Sequence, residues 1–337
     1  MKLWPGKNRL LILGTRPSRV VDDSPAPVED WRAARPAAIR RALDRALARP
    51  SGNWYVLDAS RAIGAAPRLH VVDGMELVSW RADGVVQVAP NECPHMGASL
   101  AGGCVDAGKL VCPWHGLRLD GEGHGAWRPL PVHDDGVLTW VRLGPAHLGL
   151  ARPILPPRPT QYLAGVVAMS ARCTPADVIA NRLDPWHGTH LHDHTFARLR
   201  VLGHDDDVMR VRVAVRLFGP VCVEADCTFH SPEPRTVVMT IVDGEGVGSV
   251  VETHMTPIAP DTTRIVEATL AASDRKGFAV ARALGFLFRP FMERAAERLW
   301  VDDAAYAERL FQLRARAAER SGEAQPERVA LRGTPQK

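Results

Sequence analysis

The sequence predicts an α+β protein with two domains, a small antiparallel β domain followed by an antiparallel sheet flanked by helices. After residue 53, short β-rich segments alternate with Asp-Gly turns. A proline-rich stretch, residues 153–159, then marks a boundary. Beyond it, strand patterns with one polar face lead into a long Ala-, Arg-, Glu- and Leu-rich segment with helical periodicity.

Composition narrows the class of protein. The chain has 337 residues, 46% of them hydrophobic, which is enough for two domains with a sizeable core. A net charge of +4 is too small to indicate nucleic-acid binding. No apolar run approaches the ~20 residues of a transmembrane helix, and residues 10–13 are too short an apolar run for a signal peptide. Because the six cysteines suggest no disulfide framework, a cytoplasmic location is expected.

The first domain is expected over residues 51–150, after an N-terminal extension of residues 1–50. In that extension, residues 31–48 favour a helix with arginines on its polar side. Turn residues separate five expected strands, at residues 54–57, 70–72, 76–80, 85–88 and 137–143.

The second domain is expected over residues 160–320, before a polar tail of residues 321–337. Thr174 followed by proline predicts the start of a helix over residues 175–181. A second helical segment is predicted over residues 278–320. Alternating residues predict strands at residues 209–217, 221–229, 236–243, 248–257 and 263–271. Three aromatic residues of the last helical segment are expected in the core rather than in a pocket: Phe286, Phe288 and Phe291.

Two short loops of the first domain carry side chains that bind metals. Cys93 and His95 lie in a Cys-Pro-His-Met-Gly loop, and Cys112 and His115 lie in a Cys-Pro-Trp-His-Gly loop. Two thiolates and two imidazoles suit either a tetrahedral zinc site or a [2Fe–2S] cluster. In each loop proline restricts the backbone, and the closing glycine allows close approach to the bound group.

A histidine-rich segment of the second domain holds further candidate ligands. It contains four histidines within eight residues: His187, His190, His192 and His194. Two histidines with a later carboxylate suggest the facial triad that binds non-haem Fe(II) and leaves positions open for O₂. A histidine-rich loop can also bind divalent metal weakly without catalysis. From these residues alone both interpretations stay open.

Together these motifs resemble the Rieske non-haem iron oxygenases, in particular their alpha subunit, the terminal oxygenase component. The resemblance rests on both loops and on the Asn-x-x-Asp-Pro-x-His-x-x-x-x-His pattern of residues 181–192. It implies a helix-grip-like catalytic domain and a Rieske [2Fe–2S] cluster on the four loop ligands. It also implies a mononuclear Fe(II) bound by His187 and His192. Asp184 falls on the carboxylate that links cluster and iron, and Asn181 on a polar position near the iron.

The third iron ligand is expected in residues 299–308, which resemble the acidic segment of the family. There an aspartate precedes a glutamate by five residues, and this spacing selects Asp303 with Glu308. Asp302 is the alternative. Because neighbouring helical side chains point ~100° apart, both aspartates cannot face the iron equally.

The resemblance implies an oxygenase that uses O₂ and electrons from NAD(P)H, relayed by a separate reductase or ferredoxin. The expected reaction is hydroxylation or demethylation of a hydrophobic substrate, such as a sterol, a terpenoid or carotenoid, or an aromatic compound. Monooxygenation is favoured over ring dioxygenation, and a homotrimer is expected. The alternative is a Rieske electron-transfer protein without oxygenase activity. Respiratory Rieske proteins have two extra cysteines in the cluster loops, where this chain has Ala98 and Trp114.

Overall fold

The computed structural model describes residues 11–12, 36–144, 149–205, 207–218 and 221–321. The N-terminal part contributes a short strand, β1 (Leu11–Ile12), and a helix, α1 (Pro36–Leu47). The predicted helix over residues 31–48 therefore exists from Pro36 onward, and its first five residues lie outside the described part. Most of the predicted polar tail lies outside it as well, from residue 322 on.

The first domain consists of three antiparallel sheets, ordered β2-β10-β9, β3-β4-β5 and β6-β7-β8. Its described strands are β2 (Trp54–Ala59), β3 (Arg68–Val72), β4 (Met75–Ala82), β5 (Val85–Pro90), β6 (Cys104–Asp106), β7 (Lys109–Val111), β8 (Arg118–Leu119), β9 (Val132–Asp134) and β10 (Leu138–Arg142). Two single-turn 3₁₀ helices complete it, Ser60–Ala62 and Leu100–Gly102. Both predicted Asp-Gly turns have positive φ at each residue, 50° and 76° at Asp73 and Gly74, as a two-residue type I′ hairpin requires.

The second domain is built on one large antiparallel sheet, ordered β11-β17-β16-β15-β14-β13-β12, with β1 pairing in parallel with β14. Its strands are β11 (Leu163–Ala171), β12 (Phe196–His204), β13 (Met209–Phe218), β14 (Val221–Glu233), β15 (Thr236–Gly244), β16 (Val250–Ala259) and β17 (Thr262–Ala271). Five of them were predicted, and β11 and β12 were not. The small residues of β11 give it little alternation, and β12 follows a motif dominated by histidines.

Four helices flank this sheet: α2 (Pro175–Arg182), α3 (Gly188–Leu191), α4 (Phe278–Ala283) and α5 (Gly285–Ser321). Helix α2 begins with a capping box, because the Asp177 carboxylate accepts the N–H of Thr174 at 2.9 Å. The helix predicted over residues 278–320 is interrupted at Leu284. One sheet face packs on α2 and α5 through Ile179 and Trp300. The α+β fold class is thus confirmed, and no described helix is apolar enough over a sufficient length to cross a bilayer.

The other face of the large sheet packs against the first domain. Trp54 and Trp140 share one apolar cluster with Val238 and Val266 of the sheet, so the core continues across the boundary. Arg158, from the proline-rich linker, forms ion pairs with a carboxylate of each domain. The two domains therefore form one packed unit.

The expectation of a core position for the three aromatics of the last helix is wrong. Their side chains are 67%, 44% and 76% exposed, in the order Phe286, Phe288 and Phe291. The helix approaches β11 through a different side, where Gly285 lies against Leu163 and Met292 lies against Gly165. Because the contacts with β11 lie on that side of the helix, the three aromatic side chains face outward.

Candidate metal centres

The two cysteine-histidine loops of the first domain have the same backbone geometry. The N–H of Gly97 donates to the carbonyl of Cys93 at 2.8 Å, and the N–H of Gly116 donates to that of Cys112 at 3.0 Å. Both glycines have positive φ, 76° and 71°, which other residues rarely adopt. The glycines are therefore needed to close each loop beneath its ligands.

These loops bring the four predicted cluster ligands together. Cys93 and Cys112 are buried, with their thiols close enough to affect each other's pKa, whereas His95 and His115 are exposed with ring centroids 4.8 Å apart. Burial by itself would raise the pKa of Cys112, but the N–H of Trp114 and the neighbouring thiol lower it overall. Burial and the neighbouring thiol raise the pKa of Cys93, so the thiolate, the form that binds iron, is favoured at Cys112 alone before a metal binds.

A second set of ligands lies in the other domain, between α3 and α5. His187 precedes the first residue of α3, His192 follows its last, and Asp303 lies within α5. The Nε2 atoms of His187 and His192 lie 3.2 Å and 2.9 Å from Oδ1 of Asp303. Each of the three residues offers one ligand atom, and these atoms lie within 4.8 Å of one another.

Burial and charge prepare this carboxylate for a cation. Asp303 is 3% exposed and His192 is 2% exposed. Burial by itself would raise the pKa of Asp303, but hydrogen bonds from both histidines and the charge of Arg182 hold it well below its usual range. Burial by itself would lower the pKa of His187, but hydrogen bonds with Asp184 and Asp303 raise it to about 9. The carboxylate is therefore ionised at neutral pH.

A carboxylate lies behind each histidine. Nδ1 of His187 is 3.8 Å from Asp184, and Nδ1 of His192 is 3.7 Å from Asp302. The hydroxyl of Tyr306 donates to Asp184 at 3.0 Å and fixes that carboxylate. Histidines that bind metals typically direct their second nitrogen to such a group, which sets the orientation of the ring.

Of the remaining predicted residues, one lies next to the three predicted iron ligands and the others lie outside that set. Asn181 is fully buried and donates to Oδ1 of Asp303 at 3.1 Å, next to the ligand set. Asp302 is half-exposed and lies on the outer side of His192, so the structure places Asp303 and not Asp302 among the three converging groups. His190 is exposed and outside that set. Glu308 is also outside it, and accepts a backbone N–H from the turn after β11 at 2.8 Å.

Sequence reasoning missed Arg182, Tyr306 and Glu267. Arg182 lies 3.9 Å from Asp303 and 3.7 Å from Glu267, whose pKa burial raises. Tyr306 follows Asp303 by three residues in α5, so helical spacing could have placed both on one face. Glu267 lies in an otherwise apolar part of β17, a weak signal for a buried charge.

Both ligand sets fit the predicted metal groups. Two buried thiols with two adjacent imidazoles match a Rieske cluster, in which one iron takes the cysteines and the other the histidines. Two histidines and one carboxylate match the facial triad of a mononuclear Fe(II).

Two protein families match different parts of the chain. The model of the Rieske [2Fe-2S] domain matches residues 53–140. The model of a family described as a domain of unknown function, DUF5914, matches residues 145–318, which is just over half of the chain. The chain belongs to the DUF5914 family. In this member a Rieske domain precedes the DUF5914 domain, which carries the second ligand set.

Characterised relatives and similar solved structures are named as oxygenases. Aminopyrrolnitrin oxygenase PrnD of Pseudomonas fluorescens is 32% identical over 111 residues, 33% of this chain and 29% of that protein. The oxygenase component of dicamba O-demethylase from Stenotrophomonas maltophilia is 32% identical over 103 residues, 26% of this chain and 30% of that protein. The chain thus spans about a third of the length of the curated relatives it matches.

Structural similarity extends over most of the chain. Dicamba monooxygenase bound to dicamba has a TM-score of 0.63 at 21% identity and covers 84% of this chain and 93% of its own. A carbazole 1,9a-dioxygenase oxygenase in complex with ferredoxin has a TM-score of 0.57 at 14% identity, over 87% of this chain and 90% of its own. The predicted resemblance to Rieske oxygenase alpha subunits is therefore confirmed, as is the predicted Rieske [2Fe–2S] cluster. The second ligand set could hold the predicted mononuclear iron.

Proposed function

We propose that this protein is the terminal component of a Rieske oxygenase. It would use O₂ and electrons from NAD(P)H, delivered by a separate reductase or ferredoxin, to hydroxylate or demethylate a hydrophobic substrate. The observation that carries the proposal is the convergence of His187, His192 and Asp303 in a chain that also has a Rieske domain. An electron carrier without its own catalysis would need only the cluster loops.

The proposed ligand assignments follow the chemistry of each set. Cys93, His95, Cys112 and His115 hold the cluster, and the three converging residues of the second domain hold the iron. When bound, the cluster supplies single electrons and the iron supplies the oxygen chemistry. The protein supplies ligation, orientation and exclusion of water.

Three neighbours position the iron ligands. Asn181 donates to Oδ1 of Asp303, while Arg182 lies 3.9 Å from its other oxygen and offsets its charge. Asp184, fixed by the hydroxyl of Tyr306, lies behind His187. These contacts limit rotation of the carboxylate and of one imidazole, so the ligands are preorganised for the metal.

An apolar region of the sheet beside His192 supports a hydrophobic substrate. The ring of Phe196 lies 6.2 Å from that of His192, and it packs on a cluster that includes Leu199, Val213 and Cys227. Partly buried side chains extend this region along neighbouring strands: Phe229, Met239 and Ile241. The proposed substrate is a bulky sterol, terpenoid, carotenoid or aromatic molecule, because apolar surroundings suit such a molecule. Demethylation agrees with relatives that are named O-demethylases.

The proposed assembly is a homotrimer in which the cluster loops of one subunit lie beside the iron site of the next. Exposure of His95 and His115 supports it, because these ligands are available to a neighbour. Asp184 is the proposed link across the interface. Light scattering of the intact protein tests the assembly, and a monomer at working concentration would exclude it.

Iron and sulfide analysis of anaerobically purified protein tests the proposal. We expect about three irons and two sulfides per chain, two irons from the cluster and one from the mononuclear site, together with the EPR signal of a reduced Rieske cluster after dithionite. A cluster signal with no additional iron would favour the electron-transfer alternative. Zinc alone would exclude both.

Substitutions distinguish the proposed iron ligands from Asp184, the residue proposed to link cluster and iron. His187→Ala and His192→Ala should lose the mononuclear iron and keep the cluster spectrum, whereas His190→Ala, the matched control, should keep both. Asp184→Ala should keep both metals but slow the reoxidation of the reduced cluster by O₂ in stopped-flow absorbance. If reoxidation of the Asp184 variant matches that of wild type, the proposed link is wrong.

A further inference from the structure

The start of the C-terminal helical region presents an unusually apolar surface. Over residues 276–291, which comprise α4 and the first turns of α5, six large apolar side chains are exposed by 40% to 76%. They are Val280, Leu284, Phe286, Leu287, Phe288 and Phe291. We call this surface the 276–291 face. Contiguous exposed apolar groups on this scale usually mark an interaction site.

Helix spacing aligns three of these side chains. Leu284, Leu287 and Phe291 follow one another at intervals of three and four residues, which is the repeat of a helical stripe, whereas Val280 belongs to α4, before the interruption at Leu284. The opposite side of the segment is occupied, since Gly285 lies against Leu163 of β11. The stripe therefore points away from the sheet, and the part of the chain that the structure describes leaves it open to solvent.

The charge of this surface has one sign. Lys276, Arg282 and Arg289 lie within residues 276–291, which contain no aspartate or glutamate. Lys276 and Arg282 are exposed, and Arg289 is half-buried, with its Nε donating to the carbonyl of Ala164 at 3.2 Å. Basic residues bordering phenylalanine and leucine are typical of helices that lie in the interface of a membrane.

Charge also discriminates between possible occupants. A two-fold contact between copies of this face would place three cations against three cations, which opposes association. An anionic bilayer accepts both features at once, because its headgroups pair with the cations while the phenylalanines enter the acyl boundary.

We propose that the 276–291 face binds the surface of an anionic phospholipid bilayer, with α4 and the first turns of α5 lying along the membrane plane. Phe291 precedes Asp303 by twelve residues of the same helix, which places the bilayer about 18 Å along the helix from the iron site. A substrate that partitions into membranes would then reach the protein beside its catalytic domain. The docking itself does not depend on the proposed oxygenase activity.

Vesicle flotation of the full-length protein tests the docking without any assay of activity. Wild type should bind vesicles of phosphatidylcholine mixed with phosphatidylserine. It should bind only weakly to vesicles made of phosphatidylcholine without phosphatidylserine. High salt should weaken binding, because each cation near an anionic surface contributes about fivefold in affinity. The double variant Phe286→Ser/Phe291→Ser should bind at least tenfold more weakly, and Arg282→Glu should lose more than the fivefold contribution of one cation.

Two controls match these changes elsewhere on the surface. Val85→Ser removes a 59% exposed apolar side chain from the first domain, and Arg316→Glu reverses an exposed charge near the far end of α5. Both should bind vesicles like wild type. Equal binding to both vesicle types, or unchanged binding of the double phenylalanine variant, would overturn the proposal. The proposal would also fail if wild type does not bind vesicles and light scattering shows that wild type is an oligomer whereas the double variant is not. The 276–291 face would then be a subunit interface.

Discussion

Replacing Arg158 with methionine tests how the linker holds the two domains together. Its guanidinium forms two hydrogen bonds to Glu252 of β16, at 2.5 Å and 2.7 Å, and also pairs with Asp135 of the first domain. It lies 5.8 Å from the ring centroid of Trp140 as well. Because Glu252 is fully buried, the arginine is the principal partner of a carboxylate that water cannot reach.

The expected loss follows from that burial. Removing one member of a buried ion pair leaves an uncompensated charge and costs about 3–5 kcal/mol. Burial by itself would raise the pKa of Glu252, and Arg158 and His254 instead lower it. Without the arginine this pKa should rise above its value in the unfolded chain. The variant should then regain stability as the pH falls, since protonation of Glu252 removes the buried charge.

Urea unfolding monitored by tryptophan fluorescence measures the change. Arg275→Met is the matched control, because Arg275 also forms a two-bond pair with a glutamate, Glu245, but is 54% exposed. That surface pair should contribute about 1 kcal/mol or less. Adding Glu252→Gln to Arg158→Met should recover about 2 kcal/mol, by removing the unpaired charge. Equal losses in Arg158→Met and Arg275→Met would refute the reasoning.

Three further predictions concern individual side chains. Asp303→Ala should lose the mononuclear iron, and Asp302→Ala should retain most of it. Iron analysis of samples with the same cluster absorbance measures this, and equal iron retention in the two variants would contradict the assignment. Cys112→Ser should abolish the visible spectrum of the cluster, whereas serine at the exposed Cys104 should leave it unchanged. Burial, with the charge of a neighbouring arginine, lowers the pKa of His70 to about 4 from its ordinary 6.5. Between these pH values the unfolded chain binds a proton that the folded chain does not, so His70 alone should lower the stability of wild type by roughly 2 to 3 kcal/mol from pH 7 to pH 4.5. His70→Gln should lose less in urea titrations, and an equal loss in both proteins would contradict the prediction.

Local sequence determined much of this protein. The cysteine-histidine loops are contiguous and depend only on proline, glycine and hydrogen bonds within a few residues, so their ligands could be identified directly. Strands with strict alternation and helices with strong caps were predicted within a few residues of their ends. The short segment with His187 and His192 was predicted from its resemblance to a known family, and the fold class followed from the order of strands and helices.

Tertiary packing decided the rest. The resemblance to a known family selected Asp303 over Asp302, but only the rotation of α5, which brings Asp303 to the histidines and turns Asp302 outward, shows the geometry behind that choice. Arg182 and Glu267 meet near Asp303 from segments distant in sequence, so their roles appear only after folding. The same packing buries one side of the first turns of α5 against β11 and leaves the aromatic residues outside. The sequence specifies which side chains are able to bind iron or to enter a core. The packing of the helices on the sheet selects those that do, because burial depends on contacts between residues that are distant in sequence.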